Sequence, residues 1–161
     1  MSERPLWMQM KGDRFTPDQI LTQFGIKEPP VPVHDIARWM GIFVHHVVSP
    51  GWDGAIKSTT QRADIWLRMG VATVRERFTL AHEIGHLMLD PLGVEFRDVT
   101  LSYPGSNPSE TRANRFAAEL LMPSWMLHVY NSRLYGESTA LARTFEVSLK
   151  AMEIRVDTVF R

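Results

Sequence analysis

An α+β fold is predicted for this 161-residue chain by the order of two periodicities and by what punctuates them. Residues 42–68 hold three short runs, IFVHHVV, GAIKS and DIWLR, rich in β-branched and aromatic side chains and separated by turn residues. After Gly70 the apolar residues recur at helical spacing, and Pro91, Pro108 and Pro123 bound the segments. A small three-stranded sheet followed mostly by helices is what these observations imply.

Each element has its own signal. Thr16 is placed to cap a first helix, with Pro17 at its first position and Gln19 at its third, running to about Phe24 before Gly25 stops it. Pro29, Pro30 and Pro32 form a turn, and a short helix from His34 to Met40 ends at Gly41, which suits a left-handed cap. The strand over residues 42–48 follows, then Gly54 to Ser58 and Asp64 to Arg68, paired as a hairpin. A helix of about a dozen residues carries RFTLAHEIGHLML and stops at Pro91. The linker from Leu92 to Pro108 is long for a compact domain, and connections of that length usually contain some structure or serve a site. A helix from Asn107-Pro108 to Pro123 comes next, and three helical segments, from Trp125 to Leu134, Ser138 to Phe145 and Ser148 to Phe160, complete the chain.

Composition narrows the function. Acidic and basic residues balance at 18 each, so no overall positive field favours nucleic acid. The charged N-terminus has no apolar run long enough for a signal peptide or a membrane span, and a cytoplasmic protein is expected. With no cysteine there is neither a disulfide framework nor a thiolate metal site. Any metal ion must be held by His, Asp or Glu.

The stretch His82-Glu83-Ile84-Gly85-His86 sets three ionisable side chains among Leu80, Ala81, Leu87, Met88 and Leu89, where burial is unfavourable unless partners satisfy them. Residues four apart on a helix lie ~40° apart around the axis, so His82 and His86 project from one face. That spacing suits two imidazole ligands on one zinc ion, with Glu83 beside them as general base for a water activated by the metal. Two core histidines bonded to backbone carbonyls would also satisfy the pattern.

A third ligand must come from elsewhere, because Leu89 and Leu92 occupy the positions where an extended motif would place Gly and His. Asp90, Glu110 and Glu119 are the carboxylates within reach. On the helix after Pro108, Glu110 aligns with Asn114, Ala117 and Leu121 beside the apolar stripe of Ala113, Phe116 and Leu120. Glu119 falls on the far side with Arg112 and Arg115, as a solvated partner for Arg115, and Asp90 reads as the end of its helix. Glu110 is therefore the core-facing candidate, with Asn114 one turn later able to hold a ligand in place. As the third residue after an Asn107 cap, Glu110 could instead close a capping box.

RFTLAHEIGHLML followed by ETRANRFAAELLMP resembles the ImmA/IrrE family of zinc metallopeptidases of bacteria, their phages and integrative elements. ILTQFGIKEPPVPVHDIARWMGIFV is similar to that family's opening helices and first strand, and LARTFEVSLKAMEIRV to the helix-turn-helix-like segment that often follows its core. The resemblance covers about residues 17–156. It implies a zincin-like core over residues 1–124, with residues 125–161 packed on it in a single compact unit. It also implies Zn2+ bound by His82, His86 and Glu110, with Glu83 as catalytic base. The expected partner is a helix-turn-helix repressor of the XRE type, commonly encoded beside such proteins and cleaved or otherwise inactivated to relieve repression. The alternative is a non-proteolytic antirepressor that sequesters its partner, with zinc serving only structure. The chain is shorter than the radiation-response members with a C-terminal sensor domain.

Other residues carry weaker signals. From Arg133 onward five basic and four acidic residues leave no basic stripe, so protein contact is expected of this segment rather than DNA binding. His45 and His46 are strand neighbours pointing to opposite faces and cannot serve one site. Tyr103 in the linker is a candidate to stabilise the oxyanion of a tetrahedral intermediate, or a packed loop tyrosine. The strand from Asp64 to Arg68 is the expected sheet edge for an extended substrate segment.

Overall fold

The computed structural model describes residues 3–12, 15–48, 50–93 and 107–161, together with the backbone of 96–98. In chain order the helices are α1 (Leu6–Gly12), α2 (Pro17–Gln23), α3 (Val33–Trp39), α4 (Thr73–Leu89), α5 (Pro108–Leu121), α6 (Ser124–Arg133), α7 (Ser138–Phe145) and α8 (Leu149–Phe160). The strands are β1 (Phe43–Val47), β2 (Gly54–Ser58), β3 (Ala63–Arg68) and β4 (Phe96–Asp98). This is the expected α+β arrangement, and the cap of α2 forms as read, with Thr16 and Gln19 bonding each other's backbone N–H.

The three anticipated strands are joined by a short fourth from the long linker, giving the order β1-β3-β2-β4. β2 pairs antiparallel with β3, as a hairpin should, while β1 pairs parallel with β3. β3 is therefore interior. Its backbone is bonded on both sides, which corrects the expectation that residues 64–68 offer a free edge; among the described residues the sheet ends at β1 and β4.

Alternation along β3 explains how the sheet meets the helices. Ala63, Ile65 and Leu67 are buried, and Asp64, Trp66 and Arg68 lie on the opposite, half-exposed face. α4 packs against β2 and β3 on one side and α5 on the other, so every residue from Thr79 to Met88 is buried. The start of β2 is tied to α4 by an ion pair between Asp53 and Arg75.

α4 is longer than expected, and α1 has no counterpart in the sequence reading. Trp7 and Met10 of α1 enter the core, and the backbone N–H of Trp7 donates to the Met40 carbonyl at 2.9 Å. Lys11 reaches the other end of the molecule's central helix, donating to the carbonyls of Leu87 and Asp90, each at 2.6 Å. Burial lowers the Lys11 pKa, with the Asp90 charge opposing.

The C-terminal helices share the core, which includes Met126, Leu127, Leu141, Phe145 and Met152. α7 stops at Glu146, which takes a left-handed conformation with φ of 52°, and Ser148 then caps α8 by accepting the Ala151 N–H. Arg77, buried in the second turn of α4, donates to the Glu146 carbonyl at 3.0 Å and to that of Phe145 at 3.4 Å. Burial pulls its pKa below the ordinary arginine value, opposed by the Glu146 carboxylate. Arg155 of α8 donates to the Met122 carbonyl at 2.9 Å. No described helix is long and apolar enough to cross a membrane.

Arg77→Ala should lower the unfolding free energy by about 1–3 kcal/mol, because it strands these carbonyls at the α4–α7 contact. A urea titration checks this, and a midpoint equal to that of the parent protein would contradict the assignment.

Candidate metal centre

The geometry of the site begins with two helices crossing closely. A methyl group on Gly85 would lie 3.1 Å from Phe116 Cβ and 3.2 Å from both Cα and the carbonyl oxygen of Ala113, so α5 can approach α4 only because residue 85 has no side chain. That approach brings the first turn of α5 over the face of α4 that bears both histidines.

His82, Glu83 and His86 are all buried, at 0%, 0% and 1% exposure. His82 Nε2 and His86 Nε2 stand 3.1 Å apart, each 3.0 Å from a different oxygen of the Glu110 carboxylate. The far nitrogens face acceptors. Nδ1 of His86 lies 2.8 Å from Asp90 Oδ2, and Nδ1 of His82 lies 2.8 Å from Asn114 Oδ1. An acceptor at Nδ1 requires the proton there, which turns both Nε2 lone pairs toward Glu110. Two imidazole lone pairs and a carboxylate thus converge in a buried space, an arrangement that calls for a cation.

The donor set fits one. Bonds of ~2.0–2.1 Å at tetrahedral angles separate ligand atoms by roughly 3.3 Å, a small spreading of the observed triangle. Among the described residues, His82, His86 and Glu110 are the group of side chains that could hold a metal ion. Two imidazoles and one carboxylate leave a fourth tetrahedral position open.

Glu83, one residue along from His82, is directed at the start of β2. A methyl group on Gly54 would come within 2.9 Å of Glu83 Oε1 and 2.6 Å of Thr79 Cγ2, so the strand backbone passes directly against this carboxylate. Glu110 does not close a capping box. Asn107 caps α5 by accepting the Ser109 N–H at 2.8 Å, while the Glu110 carboxylate turns inward. Glu119 pairs with Arg115 at 3.0 Å, as the helical wheel suggests. His45 pairs with Asp64 and His46 with Glu76, each at 2.8 Å, on separate sides of β1. Tyr103 lies outside the described residues.

Asp90 ends α4 as the sequence suggests, but its side chain also supports His86, a role the sequence reading does not give it. Its 2.8 Å contact with His86, four residues earlier, follows from the same helical spacing that relates the two histidines.

A family model described as the IrrE N-terminal-like domain, Peptidase_M78, matches residues 37–157. Among solved structures, a Mycobacterium tuberculosis transcriptional regulator matches with a TM-score of 0.54 and 16% identity, covering 92% of this chain and 50% of that one. This likeness bears on the fold alone, and the chain spans half the length of that regulator. No curated protein matches.

Gly85→Ala should destabilise the protein by about 1–3 kcal/mol through overpacking at the crossing. It should also weaken retention of divalent metal, because α5 must withdraw together with Glu110. Denaturant titration and metal content after gel filtration test the two parts.

Proposed function

The chain belongs to the Peptidase_M78 family of IrrE N-terminal-like domains, and from that premise we propose that it is a zinc-dependent endopeptidase acting on a helix-turn-helix repressor of the XRE type. The observation that carries the reading is the convergence of His82 Nε2, His86 Nε2 and Glu110 within 3.0–3.1 Å of one another, with Glu83 buried one residue along the same helix.

His82, His86 and Glu110 would hold Zn2+. Zinc supplies a Lewis acid that acidifies a water and polarises a peptide carbonyl. The chain's own residues do the rest. Glu83 takes the proton of the attacking water and returns it to the departing amine as the peptide bond breaks. Asn114 fixes the His82 ring through Nδ1, keeping Nε2 directed inward. His82, Glu83 and His86 are almost wholly buried, which strengthens every charge interaction among them. A repressor substrate and the lack of cysteine both suit a cytoplasmic setting.

The competing reading is an antirepressor that sequesters its partner around a structural zinc. Glu83→Gln separates the two. It should bind zinc as the parent protein does and cleave a partner repressor of the XRE type about 10²–10⁴-fold more slowly, measured by mass spectrometry of the repressor after incubation. A Glu83→Gln protein that relieves repression as well as the parent favours sequestration, and one that cleaves at the parent rate refutes the mechanism.

A further inference from the structure

A carboxylate at the C-terminal end of a helix meets the negative end of the helix dipole, and burial adds a desolvation penalty. Asp90 bears both. It follows the last residue of α4 and is 5% exposed. Closing the helix does not require its side chain, because its backbone N–H already bonds to the His86 carbonyl at 2.9 Å. What holds the side chain is a set of three donors: His86 Nδ1 at 2.8 Å and Ser109 Oγ at 3.0 Å, both on Oδ2, and Arg112 Nη2 at 3.3 Å on Oδ1. Lys11 supports the same place from outside, its ammonium on the carbonyls of Leu87 and Asp90 at the negative end of α4.

Two of those donors come from α5. Residues 109–114 supply Ser109 and Arg112 to Asp90, Glu110 to the two imidazoles and Asn114 to His82. The supports of the two rings differ in charge, a neutral amide behind His82 and a carboxylate behind His86.

We propose that Asp90 is a positioning residue for the metal centre, holding the His86 ring with Nε2 facing Glu110 and making that imidazole the stronger donor of the pair. The proposal rests on the reading of His82, His86 and Glu110 as metal ligands. A carboxylate behind a ligating imidazole fixes its tautomer and raises its basicity, and loss of such a partner typically lowers metal affinity by about 10–100-fold.

The test compares the full-length parent, Asp90→Ala and Asp90→Asn by zinc affinity in competition with a chromophoric chelator and by the visible absorption of the Co2+-loaded forms. Asp90→Ala should bind zinc about 10–100-fold more weakly. Asp90→Asn, which keeps an acceptor for Nδ1–H without the charge, should fall between it and the parent. The Co2+ bands should shift in both, while Asp90→Asn, which keeps an acceptor at this position, should hold the metal-free unfolding midpoint closer to that of the parent than Asp90→Ala does. If Asp90→Ala fails to fold, the isosteric Asp90→Asn decides. Parent-like zinc affinity and Co2+ spectrum in the folded variant overturn the positioning role. A parent protein that binds neither ion instead overturns the ligand assignment.

Discussion

Two imidazole nitrogens and a carboxylate held within 3.0–3.1 Å of one another inside a protein call for a shared cation, and the rest of this structure is arranged around that demand. His82 and His86 are brought side by side by helical spacing alone, but the Glu110 carboxylate arrives only because α5 crosses α4 where Gly85 leaves no side chain. The sheet supplies the other wall. β2 and β3 press Ile56, Ile65 and Leu67 against α4, and the backbone at Gly54 closes on Glu83. A helix whose polar residues are enclosed from both sides cannot satisfy them with water, so the partners must be built in.

Much of this site was legible because its main determinants are local. The two histidines share a face by periodicity, and the choice of Glu110 over Glu119 follows from which side of a single helix carries Ala113, Phe116 and Leu120. Asp90 reads as a helix end because Asp followed by Pro explains itself locally, whereas its partners Ser109 and Arg112 come from a different helix. The same limit applies to the fold. β1, β2 and β3 announce themselves through composition, but the insertion of β3 between β1 and β2 depends on pairings that leave no mark on either strand's own sequence. β4 is only three residues long, too short for a period to be read from it.

The helix boundaries make a similar point. α4 begins at Thr73, and its N-cap Ala72 offers no side-chain acceptor, so no capping side chain marks its start. α1 is a seven-residue helix held by tertiary contacts, with Trp7 and Met10 in the core and Lys11 on the carbonyls that end α4. Short helices are marginal alone and form where packing selects them. The segment lies outside residues 37–157, which match the family, yet it contributes the cation nearest the end of the central helix.

The arrangement of residues 109–114 sets how the chain can vary. One inserted or deleted residue within that run would rotate everything after it by about 100°, displacing several of its four contributing residues at once, whereas a substitution removes the contribution of one. Length changes before Asn107 leave the angular register of the run intact, since it is counted from the cap onward. The site should therefore tolerate insertions ahead of the helix better than any change of length within it.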